Sequence, residues 1–125
     1  MAKSFIFHMC RSDEWERARI LPTRLYSGSS QDAADGFIHF STAAQIAGSA
    51  ARHRAGQAGL TLLTVDAGRL GPALRWEPSR DGALFPHLYG PLPVDLVLRA
   101  DPLALGDDGQ HIFPPHIAGT EEDRA

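Results

Sequence analysis

The sequence predicts an α+β domain with a mixed or antiparallel sheet. Three observations lead there. Short apolar runs bounded by turn residues recur along the chain, five or six in all. Only two stretches read as helix. Strand and helix do not alternate regularly, so nothing points to a parallel βαβ array.

The elements follow in order. "SFIFHM" (4–9) reads as the first strand. "RSDEWERA" follows as a short helix, with Ser12 or Asp13 as its cap and acids in its first turn. Residues 21–35, "LPTRLYSGSSQDAAD", read as a long Pro/Gly/Ser-rich connection, the kind of loop that often carries function. "GFIHF" (36–40) is a strand. Its period of two puts Ile38 and Phe40 on the core face and Phe37 and His39 on the other. Thr42 opens an Ala-rich helix, since Thr42 and Gln45 have capping-box spacing, and "GQAG" ends it. "LTLLTV" (60–65) reads as a buried strand, and "ALRWE" (73–77) and "VDLVLR" (94–99) as further strands. Between them, "PSRDG" is a turn and "ALFPHLYGPLP" a compact segment stiffened by prolines. Residues 1–113 form one domain and 114–125 a polar tail.

Composition narrows the function. The 125 residues fit one domain around one core. A formal charge of −3 gives no basic footprint for nucleic acid, so a nucleic-acid partner is not expected. The single cysteine, Cys10, allows no internal disulfide and no Cys-rich zinc site. No apolar run approaches the roughly 20 residues of a membrane span, and the N-terminal apolar stretch is too short for a signal-peptide core. A soluble cytoplasmic protein with no membrane partner is the expectation.

The chemistry centres on histidine. Of six, His8, His39 and His87 lie in or beside apolar segments. A single such ring is most simply a core residue donating to a backbone carbonyl. Three on three segments of one small sheet can converge on a cleft, which is the mark of a site. Arg75 and Glu77 share a strand face opposite Leu74 and Trp76. They read either as a solvated ion pair or as a cation and a carboxylate aimed into the cleft. Tyr89 offers an aromatic platform with a polar tip. Ser41 and Thr42 sit at a strand-to-helix junction, where one hydroxyl can cap the helix and the other face an anion. Cys10 as a nucleophile rests only on sharing a strand face with His8.

"FIFHMCRSDEWERA", "DGFIHFSTAAQIAGSAARH", "LTLLTVDAGRL" and "LRWEPSRDGALFPHLYGPLP", in this order, resemble the small bacterial DUF952 family. The resemblance implies an ADP-ribosyltransferase-like fold, a split mixed or antiparallel sheet with two or three short helices. "IFHMC" is similar to the first-strand motif of the rifamycin ADP-ribosyltransferases. "FIHFSTAAQIAGSAARH" is similar to a segment of the RNA 2′-phosphotransferases. Phe7 and Met9-Cys10 depart from the first motif, and no arginine set matches the second.

The resemblance implies a nucleotide-sized cleft that binds NAD as substrate, or ADP-ribose, and transfers or hydrolyses ADP-ribose to an unspecified acceptor. Glu77, His39 and His87 would be catalytic. His8, Ser41, Thr42, Arg75 and Tyr89 would bind the nucleotide, and no metal is expected. Two other readings stand beside it: a non-catalytic ligand-binding or sensing domain, and a metal site built from His8, His39 and His87.

Overall fold

The computed structural model describes residues 4–79 and 82–117. The fold is α+β, with three α-helices and short curled sheets. Every strand pairing among the described residues is antiparallel. The largest sheet has the order β1-β4-β8-β9, where β1 is Phe5–Arg11, β4 Leu60–Asp66, β8 Val97–Leu105 and β9 His111–Ile112. Strand β4 is buried on both faces, as its unbroken apolar and Thr run requires.

One core lies on each side of this sheet. Ile6 and Cys10 of β1 and Leu63 and Val65 of β4 point to the first, with Trp15, Tyr26, Ile38, Phe40 and Leu88. Phe7, Leu60 and Leu62 point to the second, with Ala43, Ile46, Leu103 and Ile117. The alternation along β1 therefore splits the chain's apolar residues between two layers. Truncating such a fully buried side chain to alanine costs about 2–5 kcal/mol.

Helix α1 (Ser12–Ile20) packs on β1 and β4 through Trp15 and Ala18. The expected Ser12 or Asp13 cap is not made: Arg11 is the N-cap, and no side chain caps it. Ser12 Oγ instead meets Thr61 Oγ1 at 2.6 Å, because β4 lies directly beneath it.

The expected loop 21–35 is mostly ordered into elements. It holds β2 (Leu25–Tyr26), which pairs with β7 (Leu92–Pro93), and helix α2 (Ser30–Asp35). Ser29 and Asp32 form a full capping box that starts α2. Gly36, at φ 88°, ends it in the left-handed conformation that glycine adopts without strain.

A second sheet has the order β3-β6-β5, with β3 Ile38–His39, β6 Leu84–Leu88 and β5 Leu74–Pro78. The chain leaving β3 joins it to the first sheet. Phe7 and Ser41 exchange both backbone hydrogen bonds at 2.8 Å. Beyond that bridge the two sheets separate.

Helix α3 is shorter than expected, Ile46–His53. Thr42 starts a turn rather than the helix, and only half of its capping box forms: its N–H donates to Gln45 Oε1 at 3.0 Å. The strand expected at 94–99 begins as a 3-10 turn (Val94–Leu96) and then runs on to Leu105. The compact segment "ALFPHLYGPLP" supplies β6 and β7. Residues 80–81 of the expected "PSRDG" turn, and 118–125 of the expected tail, lie outside the described residues. Among those described, no helix is long and apolar enough to cross a membrane.

Candidate functional site

Asp32 is the hub of the site. It is only 3 % exposed and accepts four hydrogen bonds. The Ser29 N–H and Oγ–H donate to Oδ2 at 2.7 and 2.9 Å. The His39 N–H and ring Nδ1–H donate to Oδ1 at 3.0 and 2.5 Å. Burial alone would raise the pKa of this carboxyl. The hydrogen bond from His39, with those from the two backbone N–H groups, outweighs it and brings the pKa down to about 2.

His39 lies between two carboxylates. Its Nδ1 binds Asp32, and its Nε2 lies 3.1 Å from Asp35 Oδ2. The Asp32 hydrogen bond raises the pKa of His39 against partial burial, so the ring favours its protonated form.

His8 is a satisfied core histidine. Its Nδ1–H donates to the His39 carbonyl at 2.6 Å, and Nε2 accepts from the Tyr26 hydroxyl at 2.7 Å. Burial lowers its pKa, more than the nearby Asp32 raises it, so the ring is neutral. Burial likewise pushes the Tyr26 hydroxyl up, which keeps it a donor.

The third histidine comes from the opposite strand. His87 stands directly across from His39 in the β3–β6 ladder, with ring centroids 5.6 Å apart. Its Nδ1–H donates to Glu77 Oε1 at 2.8 Å, and Tyr89 Oη–H donates to the same oxygen at 2.8 Å. These two hydrogen bonds lower the Glu77 pKa. Phe37 stacks on His87 at 4.1 Å, and Arg75 lies over the Tyr89 ring at 4.7 Å.

The space between the separated sheets is a cleft of about 500 Å³. His39, His87, Phe85 and Asp35 line it, together with Ser41 and with Ser49, Arg52 and Arg54 from α3 and its C-terminal end. Ser41 Oγ and Ser49 Oγ are 2.9 Å apart.

The expected site residues are thus brought together unevenly. His8, His39, Ser41 and His87 all border the cleft. The His8 nitrogens are both used inside the protein. Glu77, Arg75 and Tyr89 form one adjoining group behind His87, outside the lining. Thr42 also lies outside it, in the turn before α3. Cys10 is buried, and burial pushes its thiol up to about 12, so it is not a thiolate nucleophile at neutral pH. Among the described residues, no group of three or more His, Cys, Asp or Glu side chains is placed to hold a metal ion.

Asp32, Asp35, Arg52 and Arg54 are site residues that the sequence reading missed. The Ser29-x-x-Asp32 spacing is the one signal that could have marked Asp32. The arginines could have been flagged by their position at the C-terminal end of the Ala-rich helix, but surface helix ends carry cations routinely.

No curated protein matches the chain. It is similar to protein CC0527 from Caulobacter crescentus. The crystal structure of that protein is 43 % identical over 92 % of this chain and 99 % of its own, with a TM-score of 0.86. Its solution NMR structure is 45 % identical over 85 % of this chain and 90 % of its own, with a TM-score of 0.75. Residues 9–100 match the family model described as protein of unknown function, DUF952. The cleft, with its histidine pair and buried aspartate, is therefore carried by a chain that belongs to the DUF952 family.

Proposed function

We propose that the cleft binds a nucleotide of the NAD or ADP-ribose class and transfers or hydrolyses ADP-ribose. One observation carries this reading. Two histidines, each held at Nδ1 by its own carboxylate, line one cleft of about 500 Å³ that Arg52 and Arg54 also line. That volume suits a small organic ligand. Arg52 and Arg54 suit a diphosphate, and the Ser41 and Ser49 hydroxyls suit a ribose.

Hydrolysis needs water alone as acceptor. The ribose C1′–N bond breaks, and nicotinamide leaves with the bonding electrons. The water oxygen bonds to C1′ and its proton passes to an imidazole. His87 is the proton acceptor in this scheme, and Glu77 positions it without touching substrate.

A second reading, a binding or sensing domain without turnover, has its own support. Glu77 does not line the cleft, and His8 has no free ring nitrogen.

Calorimetric titration of NAD and ADP-ribose tests the binding. The wild type binds, and His39→Ala and His87→Ala each bind at least tenfold more weakly, a loss of about 1.4 kcal/mol. Nicotinamide release from NAD then separates the enzyme from the sensor. No binding by the wild type at millimolar ligand sinks the nucleotide reading and leaves a sensing domain for another ligand.

A further inference from the structure

We propose that Asp35 occupies the place of a ligand phosphate on His39, and that a phosphate-bearing ligand displaces it. This rests on the nucleotide reading and adds to it which protein group a ligand phosphate would replace.

The geometry at His39 leaves one donor for a ligand. Nδ1 is committed to the buried Asp32, so only Nε2–H faces an exchangeable partner. Asp35 Oδ2 holds that position at 3.1 Å. The two aspartates differ sharply. Asp32 is 3 % exposed and has four donors, whereas Asp35 is 45 % exposed. His39 is the sole hydrogen-bond or ion-pair partner of the Asp35 side chain among the described residues. Asp35 is also the last residue of α2, at the negative end of a helix, where a carboxylate gains nothing from the backbone.

The rest of the cleft is arranged for an anion. Arg52 and Arg54 line it, and neither is paired with a carboxylate among the described residues. A phosphate oxygen on His39 Nε2 would exchange one anion for another there. Its remaining charge would meet those guanidinium groups, of which Arg54 donates to the Gln57 amide oxygen at 3.3 Å and to no carboxylate among the described residues. The carboxylate would swing into solvent, and α2 would stay anchored through Asp32. Asp35 is thus a competitor that weakens the binding of phosphate-bearing ligands and leaves neutral ones unaffected.

The test titrates ADP-ribose and adenosine into wild type, Asp35→Asn and Asp35→Ala, with thermal unfolding to confirm that each variant is folded. Removing the competing charge should tighten ADP-ribose about fivefold in both variants, the worth of a half-exposed ion pair. Adenosine affinity should not change. Unchanged or weaker ADP-ribose binding by both variants, with binding by wild type intact, overturns the displacement. Equal tightening of adenosine overturns it too, because the gain would then not come from charge. If no protein binds ADP-ribose at all, the nucleotide reading fails, and the displacement of Asp35 by a phosphate fails with it.

Discussion

His39 and His87 face one another across the β3–β6 ladder, with ring centroids 5.6 Å apart. Cross-strand partners on one sheet face have Cβ atoms about 5 Å apart, so register alone brings the rings together. Their carboxylates come from different places, Asp32 from α2 and Glu77 from β5. Phe37 packs against both rings and closes the back of the pair. A one-residue slip of β3 would send Phe37 and His39 into the core and Ile38 out of it, so the apolar pattern of "FIHF" enforces the pairing.

Asp32→Asn should destabilise the protein by about 3 kcal/mol. The substitution keeps the shape but turns one acceptor into a donor that faces the donors of Ser29 and His39. It also leaves the protonated His39 without its buried counter-ion. Urea denaturation measures this. A loss below about 1 kcal/mol would mean that the network is no stronger than a surface ion pair.

The same network sets the pH dependence of stability. Asp32 has a folded pKa of about 2 against an ordinary 3.8. Its contribution, about 2 kcal/mol, is complete above 3.8 and is lost as pH falls through that value towards 2. His39 has a raised pKa, so its contribution is complete below 6.5 and is lost as pH rises through the raised value. His8 acts oppositely: its pKa is lowered, so stability falls as pH drops below 6.5 and the unfolded chain takes up the proton. The two histidines partly cancel in the wild type. The stability difference between wild type and His39→Gln removes His8 from the comparison. It should shrink steadily between pH 6 and pH 9. A flat difference would show that His39 is not ion-paired.

Much of this arrangement is legible in the residues. Strand alternation places Ile38 and Phe40 inside, puts Phe37 and His39 on the other face, and sets Arg75 and Glu77 on one face of their strand. His8, donating to a carbonyl, follows the simplest expectation for a histidine in an apolar run. Helix α2 is not legible, because six residues give too little periodicity to stand out from a Gly/Ser-rich stretch. Asp32 reads as a loop residue because nothing local marks it as buried. It is buried only when α2 folds back on β3, and tertiary contacts decide that. Glu77 looks aimed at the cleft from alternation alone, but alternation gives a face, not a reach. His87, on the adjacent strand, stands between it and the cleft.

Tyr26→Phe should cost about 1–2 kcal/mol in urea denaturation. The ring still packs against Trp15 and His8. What is lost is the hydroxyl donor, which leaves His8 Nε2 buried with no hydrogen-bond donor and with the Asp32 carboxylate 3.7 Å away. His8 should keep its proton on Nδ1, since the His39 carbonyl is still there to accept it, and nitrogen chemical shifts report the tautomer. A shift of the proton to Nε2 would show that Tyr26, not the His39 carbonyl, sets the tautomer.

Glu77→Gln separates positioning from contact. Glu77 lies outside the cleft lining and holds His87 by Nδ1, so its removal should act on the ring and not on the ligand. A neutral amide oxygen accepts a weaker hydrogen bond than a carboxylate. The His87 Nδ1–H proton resonance should therefore move upfield. ADP-ribose affinity should stay within about threefold of wild type, as for loss of an exposed interaction, while His87→Ala loses far more. Tyr89→Phe should move the same resonance less, because it removes a neighbour of Glu77 and leaves the His87 bond in place. If Glu77→Gln abolishes binding as fully as His87→Ala, then Glu77 reaches the ligand directly and the positioning role is wrong.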